Sequence, residues 1–179
     1  MEEKYIKNIS ELLHYYQRIA EQAIEQIDER FLFVSPVPDS NSIATIMQHI
    51  AGNQISRWTD FFTSDGEKPN RNRDAEFELN FTDKKELMQY WQKGWKSLYK
   101  ITDNLTAADL EKDIIIRGEN HKALEAINRQ LAHYPYHIGQ IIYLAKMWKG
   151  ATFKSLSIPK GNSSAFNAKK DGKTPWKKN

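Results

Sequence analysis

Residues 130–141 read QLAHYPYHIGQI, and this stretch decides how the rest of the chain is interpreted. It lies inside a long apolar segment that predicts a helix over about residues 122–148. At roughly 100° per residue, His133 and His137 fall about 40° apart on one polar stripe of that helix. The other faces are apolar, so the helix is predicted either to be central or to be covered on its back by a partner chain.

The same periodicity predicts three further helices. Apolar residues recur at three- and four-residue steps over about residues 2–32, 40–63 and 82–105. Asp39 or Ser40 is the predicted cap of the second helix. Four long helices joined by two long connections predict an all-α protein, a four-helix bundle with long crossover connections and an extended C-terminal tail.

The segments between these helices differ in character. The connection over residues 64–81 is long and polar and contains the charged cluster Arg71–Asp74, and a connection of that length is often functional. Residues 114–116 are β-branched and predict a short extended piece followed by a turn. The bundle domain is predicted to span residues 1–167, and residues 168–179 are predicted to form a basic flexible tail.

Composition restricts the classes of function. The chain has 179 residues and no Cys, which excludes disulfides, thiolate zinc sites, Fe–S clusters and a Cys nucleophile. The absence of Cys suits a reducing cytoplasm. The sequence shows neither the ~20-residue apolar run of a membrane span nor a signal peptide. We therefore expect a cytoplasmic protein with no membrane partner.

The charge distribution bears on nucleic-acid binding. The net charge is +3, and residues 151–179 contain seven Lys and one Asp, so the rest of the chain is mildly acidic. A nucleic-acid-binding protein more often carries its basic patch on the folded body. The tail is therefore interpreted as a solvated segment, and nucleic acid is not expected as a partner.

The histidine pattern is the most informative feature. His133 and His137 lie one helical turn apart, so both imidazoles can reach one cation, although Pro135 between them predicts a kink or bulge. His49 lies at the edge of the apolar stripe of the second helix, with Asn53 one turn later. Three inward histidines and a solvent ligand would form an open, catalytic-type zinc site. The alternative is that His49 only hydrogen-bonds to neighbouring backbone.

Other candidate residues have preferred structural interpretations. His14 is interpreted as a core-edge residue and His121 as a loop residue. Trp58 and Trp91 fit core packing, with the lining of a cavity beside a metal as the alternative. Arg129 is interpreted as a surface ion-pairing group, with an anion anchor near the site as the alternative.

Several common catalytic motifs are missing. The sequence contains no serine nucleophile elbow, no phosphate-binding loop and no dinucleotide-binding glycine pattern. The Glu-x-x-His spacing of carboxylate-bridged di-iron bundles is also missing, since Ile46, Gln130 and Tyr134 stand three residues before the three candidate histidines.

Two stretches, residues 46–53 and 130–141, resemble the DinB/YfiT-like superfamily of bacterial metal-binding four-helix bundles. The second stretch is similar to the His-x-x-x-His-x-Gly-Gln signature of that superfamily, from which Pro135 departs. Residues 156–162 and 165–167 resemble the C-terminal part of an uncharacterised branch.

The resemblance implies a bundle with a nickel or zinc ion held by His49, His133 and His137, often in a homodimer. Characterised members of this superfamily include enzymes that use small cytosolic thiols such as bacillithiol or mycothiol in S-transfer or isomerisation, so the resemblance also implies this kind of chemistry. We therefore expect a divalent-metal-dependent enzyme, most simply a thiol-dependent, bacillithiol-type S-transferase acting on small electrophiles. In that case a metal-bound thiol would have a lowered pKa.

Two other functions are consistent with the sequence. One is a metal-dependent hydrolase that uses a metal-bound water, for which Glu119 and Glu125 are the nearest carboxylates in the sequence. The other is a dimeric, stress-related metal-binding protein without catalysis, in which the metal braces the bundle.

Overall fold

The computed structural model describes residues 1–168 and is mostly helical, with 63% of these residues in helices. They form six α-helices and one two-stranded antiparallel sheet. In chain order the elements are α1 (Glu2–Ile24), α2 (Ile43–Trp58), α3 (Lys84–Thr102), α4 (Ala107–Leu110), β1 (Asp113–Ile116), β2 (Glu119–Lys122), α5 (Ala123–Lys149) and α6 (Ser163–Ala168). Short 3₁₀ turns lie at Glu29–Leu32, Asp74–Phe77 and Gly150–Thr152. The predicted helical class is thus confirmed as a mostly helical fold with one small sheet.

Side-chain caps set the ends of the helices. The prediction of one helix over residues 2–32 was too long, because Asp28 is extended and its carboxylate accepts the N–H of Arg30 at 3.1 Å. This hydrogen bond starts a separate 3₁₀ turn. At α3 the Asp83 carboxylate accepts the N–H of Glu86 at 2.9 Å, close to the predicted start.

The second helix is shorter than the predicted span of residues 40–63. Its cap is Ser42, whose hydroxyl accepts the N–H of Thr45 at 3.1 Å. The predicted caps, Asp39 and Ser40, precede it and were wrong. The helix also ends earlier than predicted, since the residue that follows it is extended.

The central helix of the described structure is α2. Every residue of α2 except Ile55 is buried, and the helix packs against both α3 and α5, while α1 packs against α5. By contrast, α5 leaves Tyr136, Tyr143 and Met147 on the surface, at 64%, 73% and 45% exposure. The central position predicted for the helix over residues 122–148 therefore belongs to α2, and the alternative of a partner chain on the back of that helix stays a prediction.

The connection between α2 and α3 is fixed to the β-hairpin. The hairpin turns at Arg117 and Gly118, which both have positive φ, and the predicted extended piece is strand β1. The Asp65 carboxylate accepts the backbone N–H groups of both turn residues at 2.8 Å. The Gly66 N–H donates to the Ile115 carbonyl at 2.8 Å. These hydrogen bonds attach the connection to the hairpin.

The segment after α5 lies on the surface. Its Lys154 N–H donates to the Gln26 side chain at 2.7 Å, which attaches the segment near the end of α1. The predicted basic tail over residues 168–179 lies, apart from its first residue, outside the described residues. Within residues 1–168, no helix combines the length and the apolar character needed to cross a lipid bilayer.

Gly94 allows α3 to approach α2, and this contact can be tested. A Cβ at Gly94 would lie 2.8 Å from the Ala51 Cα and 2.5 Å from the Gln54 Oε1. Gly94→Ala is therefore expected to lower the free energy of unfolding by about 1–3 kcal/mol in urea denaturation.

Gly139→Ala is the matched control, because nothing lies within 4 Å of a Cβ at that position on α5. It is expected to raise the free energy of unfolding by up to about 1 kcal/mol through helix propensity. An equal response of the two variants would contradict the close approach of α2 and α3.

Candidate metal centre

Three histidines from two helices converge beside the connection. His49 comes from α2, and His133 and His137 come from successive turns of α5. One ring nitrogen of each lies within 4.8 Å of the other two, and the Nε2 atoms of His49 and His133 are 3.3 Å apart. α5 stays helical through Pro135, so the proline does not separate the pair. All three residues singled out in the sequence therefore lie together.

The Nδ1 atom of each histidine faces a side-chain oxygen. The pairs are His49 with Glu76 Oε2 at 2.9 Å, His133 with Gln130 Oε1 at 3.2 Å, and His137 with Gln140 Oε1 at 2.9 Å. Because these oxygens accept, each Nδ1 carries the proton and each Nε2 keeps its lone pair for the shared centre. Oxygen acceptors behind the ring are typical of histidines that bind metals.

Glu76 is the partner of His49 and is itself held by an arginine. Arg71 donates from Nε to Oε1 at 2.7 Å and from Nη2 to Oε2 at 2.8 Å. Burial raises the pKa of Glu76, but hydrogen bonds from His49 and Arg71 outweigh burial and hold the pKa below its usual value. Glu76 is therefore ionised at neutral pH. The alternative that His49 bonds only to backbone was wrong.

Two residues of α2 allow Glu76 to reach the site. A Cβ at Gly52 would lie 2.5 Å from Glu76 Oε1, so only glycine leaves room for the carboxylate. The Gln48 amide donates to the carbonyls of Glu76 at 3.0 Å and Glu78 at 2.8 Å, and its oxygen accepts the Asn80 N–H at 3.1 Å. These contacts fasten the 3₁₀ turn that carries Glu76 to the central helix.

Burial keeps the histidines of α5 neutral. Burial first, and then the positive charges that His137 and His49 would carry, lower the pKa of His133 to about 3. Burial also lowers the pKa of His137, against an opposing hydrogen bond from Gln140. Neutral imidazoles are the form that binds a metal, so these two rings need not lose a proton at pH 7.

A buried tyrosine joins the two helices of the site. The Tyr134 hydroxyl donates to Asn53 Oδ1 at 3.0 Å and accepts from Trp58 Nε1 at 3.0 Å. These two hydrogen bonds fix the position of α5 relative to α2 next to the histidine pair. Trp58 and Trp91 are buried in the core, which confirms their preferred interpretation.

A cavity of about 370 Å³ opens beside the histidines. Among the described residues, its lining contains five arginines and no acidic side chain. The lining residues are His49, Asn53, Arg57, Arg71, Arg73, Phe77, Arg117, Arg129, Gln130, His133 and His137. Arg71, Arg73 and Arg117 form ion pairs with carboxylates outside the lining. The excess positive charge of the cavity therefore comes from the other two arginines.

Sequence reasoning did not identify Glu76 as part of the site. The available signal was the long polar connection with its charged cluster at Arg71–Asp74, which marked the segment and not the residue. Glu119 and Glu125, the carboxylates nearest in sequence, do not line the cavity.

The remaining histidines lie outside the site. His14 is part-buried, stacks on Tyr99 with ring centroids 3.8 Å apart and lies 3.1 Å from the Asp103 carboxylate, which confirms it as a core-edge residue. His121 lies in strand β2, so its interpretation as a loop residue was wrong. Hairpin pairing with Ile114 accounts for the difference.

Comparison with known families assigns the fold and leaves the activity open. Residues 1–162 match the family described as Protein of unknown function, DUF1572. The chain belongs to the DUF1572 family. DUF1572 is a family with a DinB-like fold, so the membership agrees with the resemblance at the level of the fold. No curated protein and no solved structure shows significant similarity to the chain.

Acid is expected to destabilise the metal-free protein through His133. Its pKa in the folded chain is about 3, against a usual value of 6.5. Between these values the unfolded chain binds a proton that the folded chain does not, so the free energy of unfolding falls as the pH falls. His133→Gln is expected to lose less thermal stability than wild type between about pH 6 and pH 4, with a chelator present.

His121→Gln controls for the general effect of removing an imidazole. His121 lies in strand β2 and is not one of the three clustered histidines, so His121→Gln is expected not to reproduce the change caused by His133→Gln. The same slope for wild type and His133→Gln would contradict the role assigned to His133.

Proposed function

We propose that the protein is a divalent-metal-dependent enzyme with a DinB/YfiT-type four-helix bundle, in which His49, His133 and His137 hold a nickel or zinc ion. The observation that carries the proposal is the convergence of three imidazoles whose Nδ1 atoms all face oxygen acceptors. Imidazole nitrogens suit zinc and nickel, and three protein ligands leave a position for a substrate atom. The donor set therefore fits such an ion.

The reaction that we propose is transfer of a small thiol, of bacillithiol type, to a small electrophile. The metal would supply a site where the thiol sulfur binds as thiolate with a lowered pKa. The chain has no Cys, so the sulfur must come from a separate thiol. The thiol would lose its proton to solvent on binding. A carbon–sulfur bond then forms as the electrophile either releases an anionic leaving group or opens a strained ring to an alkoxide that takes a proton from solvent. The cavity volume of about 370 Å³ suits small substrates.

Four side chains of the chain orient the three histidines. Glu76 accepts a hydrogen bond from the Nδ1–H of His49 and fixes the orientation of that ring. Arg71 holds Glu76 in place through two hydrogen bonds. Gln130 and Gln140 orient the other two rings in the same way. We regard all four as positioning residues.

Hydrolysis by a metal-bound water is less well supported. A general base would have to face the cavity, and no Asp or Glu from residues 1–168 lines it. Glu76 is close to His49, but both of its oxygens accept from Arg71, and one also accepts from His49.

A dimeric metal-binding protein without catalysis is the second candidate. The observation that favours it is the exposed apolar stripe of Tyr136, Tyr143 and Met147 along α5. An apolar stripe of this kind is typical of an association surface. In this version the metal would brace α2 against α5, and its removal would lower the melting temperature without loss of any turnover.

Metal analysis of purified protein tests the proposed centre. Wild type is expected to carry about one nickel or zinc ion per chain and His49→Ala almost none, because only two ligands remain. Glu76→Gln is expected to lower metal affinity about 10- to 100-fold, since the amide can no longer accept as a carboxylate does.

His14→Ala is the matched control, because His14 is a part-buried histidine on α1 that bonds to Asp103 and lies outside the centre. It is expected to carry as much metal as wild type. Equal metal content in wild type and His49→Ala would remove the centre as proposed.

Thiol consumption by the metal-loaded protein tests the reaction. With bacillithiol and a panel of epoxides and alkyl halides, wild type is expected to consume thiol at a rate that depends on metal. His137→Ala is expected to lose at least about 100-fold of this rate, because a ligand is missing. Turnover of esters or amides without thiol, or a metal-dependent melting temperature with no turnover, would instead favour the hydrolase or the non-catalytic dimer.

A further inference from the structure

The cavity has a second end, two helical turns from the histidine of α2. His49, Asn53 and Arg57 follow one another at four-residue steps along α2, so they share one face. On α5, Arg129 precedes His133 by one turn in the same way. Eight residues of α-helix span about 12 Å along the axis and four span about 6 Å. The backbone positions of Arg57 and Arg129 therefore lie roughly 6–12 Å along their helices from those of the histidines, which sets the approximate length of the cavity.

Arg57 is a buried arginine, with 3% of its surface exposed. Its Nε and Nη1 atoms are buried and have no hydrogen-bond partner among residues 1–168. Gly66 makes room for it, because a Cβ there would lie 2.7 Å from Nη1. Burial lowers the pKa of Arg57, and the negative charge of Glu67 opposes this effect. A buried guanidinium is normally paired with a carboxylate or another anion, since burying an unpaired charge is costly.

The neighbouring carboxylates are engaged elsewhere. Arg71 takes both oxygens of Glu76 and donates to Glu67 at 3.0 Å, and Arg117 approaches Glu67 at 3.4 Å. Arg129 is exposed and lines the cavity, and no ion pair joins it to a carboxylate within residues 1–168. The surface ion pair that the sequence favoured for Arg129 is therefore not formed in this part of the chain.

We propose that the arginine end of the cavity binds a small molecule through a carboxylate or phosphate group, recognised by Arg57 and Arg129. This inference rests on the proposed function in one respect: the other end of the bound molecule would carry the reacting group and would reach the three histidines. The guanidinium fork matches both kinds of oxyanion and would gain the partner that residues 1–168 do not supply. A substrate of this class carries its anionic group about 6–12 Å from its reacting atom.

Calorimetric titration of the zinc-loaded protein tests the oxyanion site. The probes are inorganic phosphate and succinate, each titrated at constant ionic strength set with chloride. Wild type is expected to bind at least one probe, and Arg57→Gln and Arg129→Gln are each expected to weaken it about ten-fold or more, since each removes a charged donor. Stronger binding of succinate would identify a carboxylate ligand, and stronger binding of phosphate would identify a phosphate ester.

Arg30→Gln is the control, because Arg30 is an exposed arginine paired with Asp28 outside the cavity. It is expected to bind like wild type. If Arg57→Gln does not fold, Arg129→Gln decides alone, since its side chain is exposed. No binding of either probe to wild type, or unchanged binding by Arg129→Gln, would overturn the inference.

Metal analysis of the same samples separates the two proposals. Arginine-dependent binding in a protein that cannot be loaded with zinc would support the oxyanion site and contradict the proposed metal centre. Normal zinc content without oxyanion binding would support the proposed metal centre and contradict the oxyanion site.

Discussion

The buried hydrogen bond between His49 and Glu76 is the contact on which the rest of the site depends. The two residues are 4% and 7% exposed. A buried carboxylate is costly unless donors replace water, and here His49 contributes one N–H and Arg71 contributes two. The same bond fixes the tautomer of His49 and attaches the α2–α3 connection to the central helix. Ring orientation and loop position are therefore set by one interaction.

The charge network around this bond explains why the cavity is cationic. Arg71 bridges Glu76 and Glu67, and Glu67 also faces Arg117 at the hairpin turn. Two carboxylates thus serve two arginines of the lining and hold the connection against the hairpin. Within residues 1–168, Arg57 has two buried nitrogens without a hydrogen-bond partner, and its positive charge borders the space beside the histidines.

The sequence predicts the parts of this site that depend on local spacing. The pairing of His133 with His137 follows from one helical turn, and a helix continues through Pro135 in the structure. The helix ends were less predictable, because a single cap such as Ser42 decides where a helix starts. Glu76 could not be predicted, since its bond to His49 joins residues 27 positions apart through an irregular connection with no periodicity.

An unpaired buried polar group indicates a binding site only where it also borders a cavity. Gln54 on α2 is fully buried and both of its amide atoms are unpaired, but it packs against Gly94 of α3 and does not line the cavity. Its unmet hydrogen bonds are a cost to folding with no access for a ligand. Arg57, one turn later, is equally unpaired, carries a charge and borders the cavity. Side chains on two faces of α2 therefore differ in role: Gln54 faces α3, whereas Arg57 borders the cavity. For this reason the oxyanion site is assigned to Arg57 and not to Gln54.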